Sequence, residues 1–135
     1  MSIDAKHMLL SEFGAKGHGQ GSDVWNFGTD TKTIKLSLIL LVYLYANDDG
    51  KISFSEKRSF KKVINSINEL TFNDKREIME ILDKLPDKSY VMRYIRENEL
   101  SDAVVLAAIN FLRGKAKLNK KYISLLTDIE RQYKK

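Results

Sequence analysis

Residues 36–44 form the most apolar stretch of the chain, and Ser37 is its one interruption. Nine residues are far fewer than the roughly 20 that a helix needs to cross a bilayer, so no transmembrane segment is expected. Apolar residues lie on most sides of a helical pattern over residues 31–46, whereas a surface helix is apolar along a single stripe. The stretch therefore predicts a central helix that the other elements must surround.

The chain beyond this helix keeps the helical period of apolar residues, and no segment alternates with the period of a strand. Further helices are predicted at five places: from Ser53, from Thr71, over 88–97, from Ser101 and from Asn119. Small polar residues of this kind are typical helix N-caps, and Pro86 lies where the helix from Thr71 must have ended. The pattern predicts an all-α, single-domain bundle of about six or seven helices.

Composition divides the chain near residue 33. Residues 1–33 hold five of the seven glycines and predict a flexible segment with a short helix over 4–13, while residues 34–135 form the helical domain. Residues 51–64 and 117–129 share a lysine, a small polar cap and an amphipathic helix, which suggests two pseudo-repeated halves; chance similarity is the alternative. The absence of cysteine and of a signal-peptide pattern predicts a cytoplasmic protein.

The segment 47–56, NDDGKISFSE, is the part of the chain richest in candidate ligands. It resembles the later part of an EF-hand loop, in which oxygen atoms bind a hard cation. The candidate ligands are Asn47, Asp48, Asp49, Ser53 and Glu56. Because Tyr45 stands where the pattern needs its first carboxylate, any Ca²⁺ or Mg²⁺ site is expected to be weak.

The same residues have an ordinary structural interpretation, which we favour. Ser53 and Glu56 have the spacing of a capping box, in which each side chain binds the other residue's backbone amide. Gly50 follows a helix and suits the left-handed turn that ends one. On this interpretation Asp48 and Asp49 are solvated turn residues.

The stretch YLYANDDGKISFSEKRSFKKVI, within residues 34–133, resembles the tellurite-resistance TerB-like family. The resemblance implies an all-helical fold of two related halves and a role in tellurite resistance or a wider chemical-stress response. It also implies membrane-associated or multi-protein assemblies and a metal ion near Asp49, Gly50 and Glu56. The function expected from it is a non-enzymatic interaction module whose partner is another protein.

Positive charge is concentrated at the end of the chain. Residues 113–135 contain eight Lys and Arg against Asp128 and Glu130. The candidate anion-binding residues are Lys115, Lys117, Lys120 and Lys121. The alternative function is therefore an anion- or nucleic-acid-binding protein, or one that contacts an acidic membrane surface. Lysine-rich faces that merely keep a protein soluble are the structural interpretation.

No pattern of a nucleophile and its base is recognisable, so the chain is not expected to be an enzyme. His7 and His18 have no partners at a ligand spacing. The carboxylate pairs of the helix from Thr71, such as Glu77 with Glu80, are expected to form solvated ion pairs with nearby basic residues of the same surface.

Overall fold

The computed structural model describes residues 31–115 and 120–134, which form an all-α bundle. The helices are α1 (Thr31–Asp49), α2 (Phe54–Ser66), α3 (Phe72–Leu82), α4 (Lys88–Glu97), α5 (Asp102–Lys115) and α6 (Lys120–Lys134). No strand occurs within these ranges, so the predicted fold class is confirmed. The predicted short helix over 4–13, the Gly-rich segment and the Asn119 cap lie outside the described residues.

Helix α1 is the centre of the bundle, as its sequence predicted. Every residue from 36 to 46 is buried, and α1 packs against α3, α4, α5 and α6. The one serine in this stretch, Ser37, donates through Oγ to the Thr33 carbonyl oxygen at 2.8 Å, so the burial of the serine hydroxyl leaves that donor satisfied. Even α1 falls short of what a membrane crossing requires, and so does every other helix in the described ranges.

Helix α1 is longer than its sequence predicted. We expected an end at Ala46, but the helix continues to Asp49, so Asn47 and Asp48 belong to its last turn instead of a loop. The backbone leaves the helix at Gly50, whose φ of 77° is the left-handed conformation that glycine adopts without strain. Polar residues alone do not stop a helix whose other side chains are buried, and the predicted end was wrong for that reason.

The N-terminal caps agree with the sequence. Ser53 Oγ accepts from the Glu56 amide at 3.2 Å, while Glu56 Oε1 accepts from the Ser53 amide at 2.8 Å. Thr71 and Asp74 make the same reciprocal pair. Ser101 Oγ accepts from an amide in the first turn of α5, as predicted. These bonds satisfy amides that have no partner within their own helices, which fixes where α2, α3 and α5 begin.

The end of α4 is a Schellman motif without glycine. The Glu99 amide donates to the Arg96 carbonyl and the Leu100 amide to the Ile95 carbonyl, both at 3.1 Å. Glu99 has a φ of 51° at the position where glycine is usual. Leu100 and Ile95 are both buried, which matches the hydrophobic contact of this motif. The motif is formed at the expense of backbone strain at Glu99.

We predict that Glu99→Gly raises the free energy of unfolding by about 0.5–1 kcal/mol, because glycine relieves the left-handed strain and loses part of that gain to its greater freedom in the unfolded chain. Urea denaturation measures the change. Glu99→Ala is the control, since it removes the same charge and keeps the strain. An equal gain in both variants would contradict the assignment of strain.

Candidate functional site at the turn end

We call one end of the bundle the turn end. It contains residues 47–58, 83–88 and 120–121, which are the end of α1 with the connection to α2 and the first turn of α2, the α3–α4 connection, and the start of α6. Asn47 at the end of α1 donates through Nδ2 to the Pro86 carbonyl oxygen at 3.2 Å and to that of Tyr43 at 2.8 Å. This side chain therefore attaches the end of α1 to the connection between α3 and α4.

Asp48 attaches the same turn of α1 to α6. Its Oδ2 accepts from the Tyr122 hydroxyl at 3.2 Å, and its Oδ1 lies 3.2 Å from Lys121 Nζ. Lys121 Nζ also donates to the Asp48 carbonyl oxygen at 2.7 Å. A candidate metal ligand and a candidate anion-binding residue are thus paired with each other. Because Tyr122 is buried, its hydrogen bond to Asp48 fixes the start of α6 against the end of α1.

Ser53 and Glu56 form the capping box described above, so the structural interpretation of these two residues is confirmed. A cation that used the Glu56 carboxylate would have to compete with the Ser53 amide for it. Ser53 and Glu56 lie at the start of α2, after Gly50 in the chain, whereas Asp48 lies before Gly50 at the end of α1.

Within residues 31–115 and 120–134, no three His, Asp or Glu side chains lie close enough together to hold a metal ion. The Lys121 ammonium beside Asp48 adds positive charge where a cation would need negative charge. The side chain of Asp49 lies outside the described residues. The described side chains do not by themselves make the predicted Ca²⁺ or Mg²⁺ site, which stays a prediction that depends on Asp49.

The four candidate anion-binding lysines differ in what they contact. Lys120 is exposed at the first position of α6, and none of the ion pairs among the described residues includes it. Lys121 is paired with Asp48. The side chains of Lys115 and Lys117 lie outside the described residues. Of the predicted set, Lys120 is the described lysine best placed to meet an external anion.

Two exposed apolar side chains at the turn end were not predicted from the sequence. The side chains of Phe54 and Leu85 are 75% and 42% exposed. The ion pair between Lys57 Nζ and Asp83 Oδ1, at 2.9 Å, joins the first turn of α2 to the end of α3 and brings these regions to the same end. The Arg58 guanidinium lies 4.9 Å from the centre of the Phe54 ring, a cation–π distance. Phe54 is off the apolar stripe of α2, which the sequence already showed.

A second polar cluster joins α1 to α3. Lys35 Nζ lies 2.7 Å from Glu77 Oε1 and 3.2 Å from Asp74 Oδ1. Burial disfavours the Lys35 charge, but the hydrogen bond to Glu77, nearby Tyr94 and the bond to Asp74 outweigh it and raise the pKa of Lys35. Glu77 therefore pairs across the helix interface, and its predicted pairing with basic residues of its own surface was wrong. This cluster holds two helices together.

We predict that Asp48 and Tyr122 stabilise the fold jointly. Tyr122→Phe removes only the hydroxyl and should lower the free energy of unfolding by about 1 kcal/mol, because the bond to a carboxylate is lost. Asp48→Ala should couple to it by a similar amount in a double-mutant cycle measured by urea denaturation. Lys121→Met, at an exposed ion pair, should cost less than about 0.5 kcal/mol. Additive effects of Asp48→Ala and Tyr122→Phe would exclude the coupling.

Comparison of the chain with family models, with curated proteins and with solved structures found no match.

Proposed function

We propose that the protein is a non-enzymatic interaction module, of the TerB-like kind that its sequence resembles, and that it binds through the turn end. One observation carries the proposal: Phe54 and Leu85 are exposed beside a turn that Asn47 and Asp48 fix to the rest of the fold. Exposed aromatic side chains on a rigid surface are typical anchors of an interface. A stress-response assembly is the setting that the resemblance implies.

The rigidity of the turn end supports a binding role for the exposed Phe54 and Leu85 side chains. Association loses free energy whenever it must order loops and side chains. At the turn end the backbone is already held by the Asn47 bond to the Pro86 carbonyl, by the Asp48 contacts with α6 and by the Ser53–Glu56 capping box. A partner would therefore meet a surface that needs little further ordering.

Anion binding is the second candidate function, and one observation favours it. Lys51, Lys84, Lys88 and Lys120 are all exposed on segments of the turn end. The ion pairs among the described residues engage Lys35, Lys57, Arg113, Lys121 and Lys134 instead. Exposed lysines without an internal carboxylate are available to phosphate or carboxylate groups of a partner.

A weak divalent-cation site in residues 47–56 remains part of the proposal, and Glu56→Gln tests it. Glutamine serves as well as glutamate at this position of a capping box, so the variant should keep its melting temperature without added metal. If the Glu56 carboxylate binds a cation, millimolar Ca²⁺ or Mg²⁺ should raise the melting temperature of the unchanged protein and not that of Glu56→Gln. Equal responses, or none, would remove the cation from the proposal.

A photo-crosslinker tests the interaction surface. We expect p-benzoylphenylalanine in place of Phe54 to form adducts in the protein's native cells, because a benzophenone reacts with C–H bonds of any close neighbour, protein or lipid. Phe72 is the matched control: it is 77% exposed, also occupies the first position of a helix, and lies where α3 begins, away from the turn end. Adducts at both positions, or at neither, would argue against a specific surface at the turn end.

A further inference from the structure

We infer that the turn end is a peripheral membrane-binding surface, in which Phe54 and Leu85 enter the interfacial region of a bilayer and the surrounding lysines contact anionic headgroups. The inference rests on the proposed interaction function and names its partner. It is carried by the exposure of two apolar side chains, by strain at one of them and by the charge around both.

The two apolar side chains come from different elements of the fold. Phe54 is the first residue of α2 and Leu85 belongs to the α3–α4 connection, yet the Lys57–Asp83 ion pair shows that these regions lie close together. Phe54 is 75% exposed and so projects from the surface instead of lining a cavity. Projecting Phe and Leu side chains with basic neighbours are the features by which proteins enter the headgroup boundary of a membrane.

Leu85 is held in a conformation that does not suit leucine. Its φ of 47° lies in the left-handed region, where a side chain larger than that of glycine is strained. The side chain is 42% exposed, so it contributes less to the core than a buried leucine does. Strained residues of this kind are concentrated at functional sites, where the strained geometry itself is used. Contact with the apolar region of a bilayer would bury the exposed part of the Leu85 side chain.

The charges of the turn end favour an anionic surface. Residues 47–58, 83–88 and 120–121 together contain seven basic and five acidic residues. Four of the five carboxylates have partners within the fold: Asp48 with Lys121, Glu56 with the Ser53 amide, Asp83 with Lys57, and Asp87 with the Tyr90 amide. The exposed lysines Lys51, Lys84, Lys88 and Lys120 have none among the described residues. Clustered lysines draw a protein to anionic lipid.

A bilayer uses both parts of this surface, the exposed apolar side chains and the lysines. Nucleic acid would attract the lysines but offers no apolar phase to Phe54 and Leu85 together. A peptide partner is usually received in a groove or along a strand edge, whereas Phe54 projects outward. Anionic lipid is a partner for which the exposed apolar side chains and the lysines act together.

Cosedimentation of the full chain with vesicles tests the inference. Vesicles of one part phosphatidylserine to three parts phosphatidylcholine should bind the protein, and phosphatidylcholine alone should bind it far less. Phe54→Ser combined with Leu85→Gly should weaken binding about tenfold or more, the loss expected when two partly inserted apolar side chains are removed. Phe72→Ser should bind like the unchanged protein, because Phe72 is equally exposed away from the turn end.

Leu85→Gly carries its own folding control. Glycine suits the left-handed backbone at this position, so the variant should be at least as stable as the unchanged protein while its vesicle binding falls. Loss of binding with an undiminished melting temperature cannot come from unfolding. Binding that is unaffected by both Phe54→Ser and Leu85→Gly would overturn the inference.

Charge reversal separates the headgroup contacts from general electrostatic attraction. Lys51→Glu with Lys84→Glu should abolish vesicle binding, whereas Arg76→Glu with Arg131→Glu changes the net charge equally away from the turn end and should weaken it little. Equal loss in both pairs would overturn the inference. So would the absence of vesicle binding, or binding to duplex DNA with none to vesicles. Crosslinks from position 54 to a protein, without vesicle binding, would then leave the proposed interaction function standing.

Discussion

The burial of α1 from all sides determines how the rest of the chain is arranged. Helices α3, α4, α5 and α6 each cover a part of it, so each must present an apolar face inward and its polar residues outward. The long sides of α1 are therefore occupied by packing, and its polar residues are left for its ends. Asn47 and Asp48 follow directly after the buried run and are the first α1 residues there that can contact polar groups of other elements. The functional candidates lie at the end of the bundle for this reason.

The pairing of Asp48 with α6 changes the electrostatics of both functional hypotheses. Considered separately, a carboxylate near residue 47 favours a cation and a lysine near residue 121 favours an anion. In the structure, Asp48 and Lys121 largely offset each other's charge, and the Tyr122 hydroxyl adds a third contact. A cation would have to depend on Asp49 and Glu56, and an anion on lysines such as Lys120. The residues left for binding are therefore neighbours of the pair and not the pair itself.

Local patterns were predictable from the sequence, and contacts between distant segments were not. The capping boxes at Ser53 and Thr71 depend on residues three apart, and the burial of α1 follows from its composition, so both could be predicted. The bonds of Asp48 to Lys121 and Tyr122 join residues more than seventy positions apart, and no local period encodes them. The exposure of Phe54 could also be predicted, because Phe54 lies off the helical stripe that contains Phe60 and Ile64. The left-handed backbone at Leu85 could not be predicted, because it depends on how α3 connects to α4.

The two strained residues of the described chain show how packing and function can be told apart. Glu99 and Leu85 have nearly the same φ, 51° and 47°. At Glu99 the strain accompanies a motif that places Leu100 in the core beside Ile95, so the fold itself benefits. At Leu85 the strained residue carries an apolar side chain that is only partly exposed, next to Pro86, whose carbonyl oxygen holds the end of α1. Stability of the isolated fold accounts for the first, whereas the bilayer contact that we infer accounts for the exposed part of the leucine at the second.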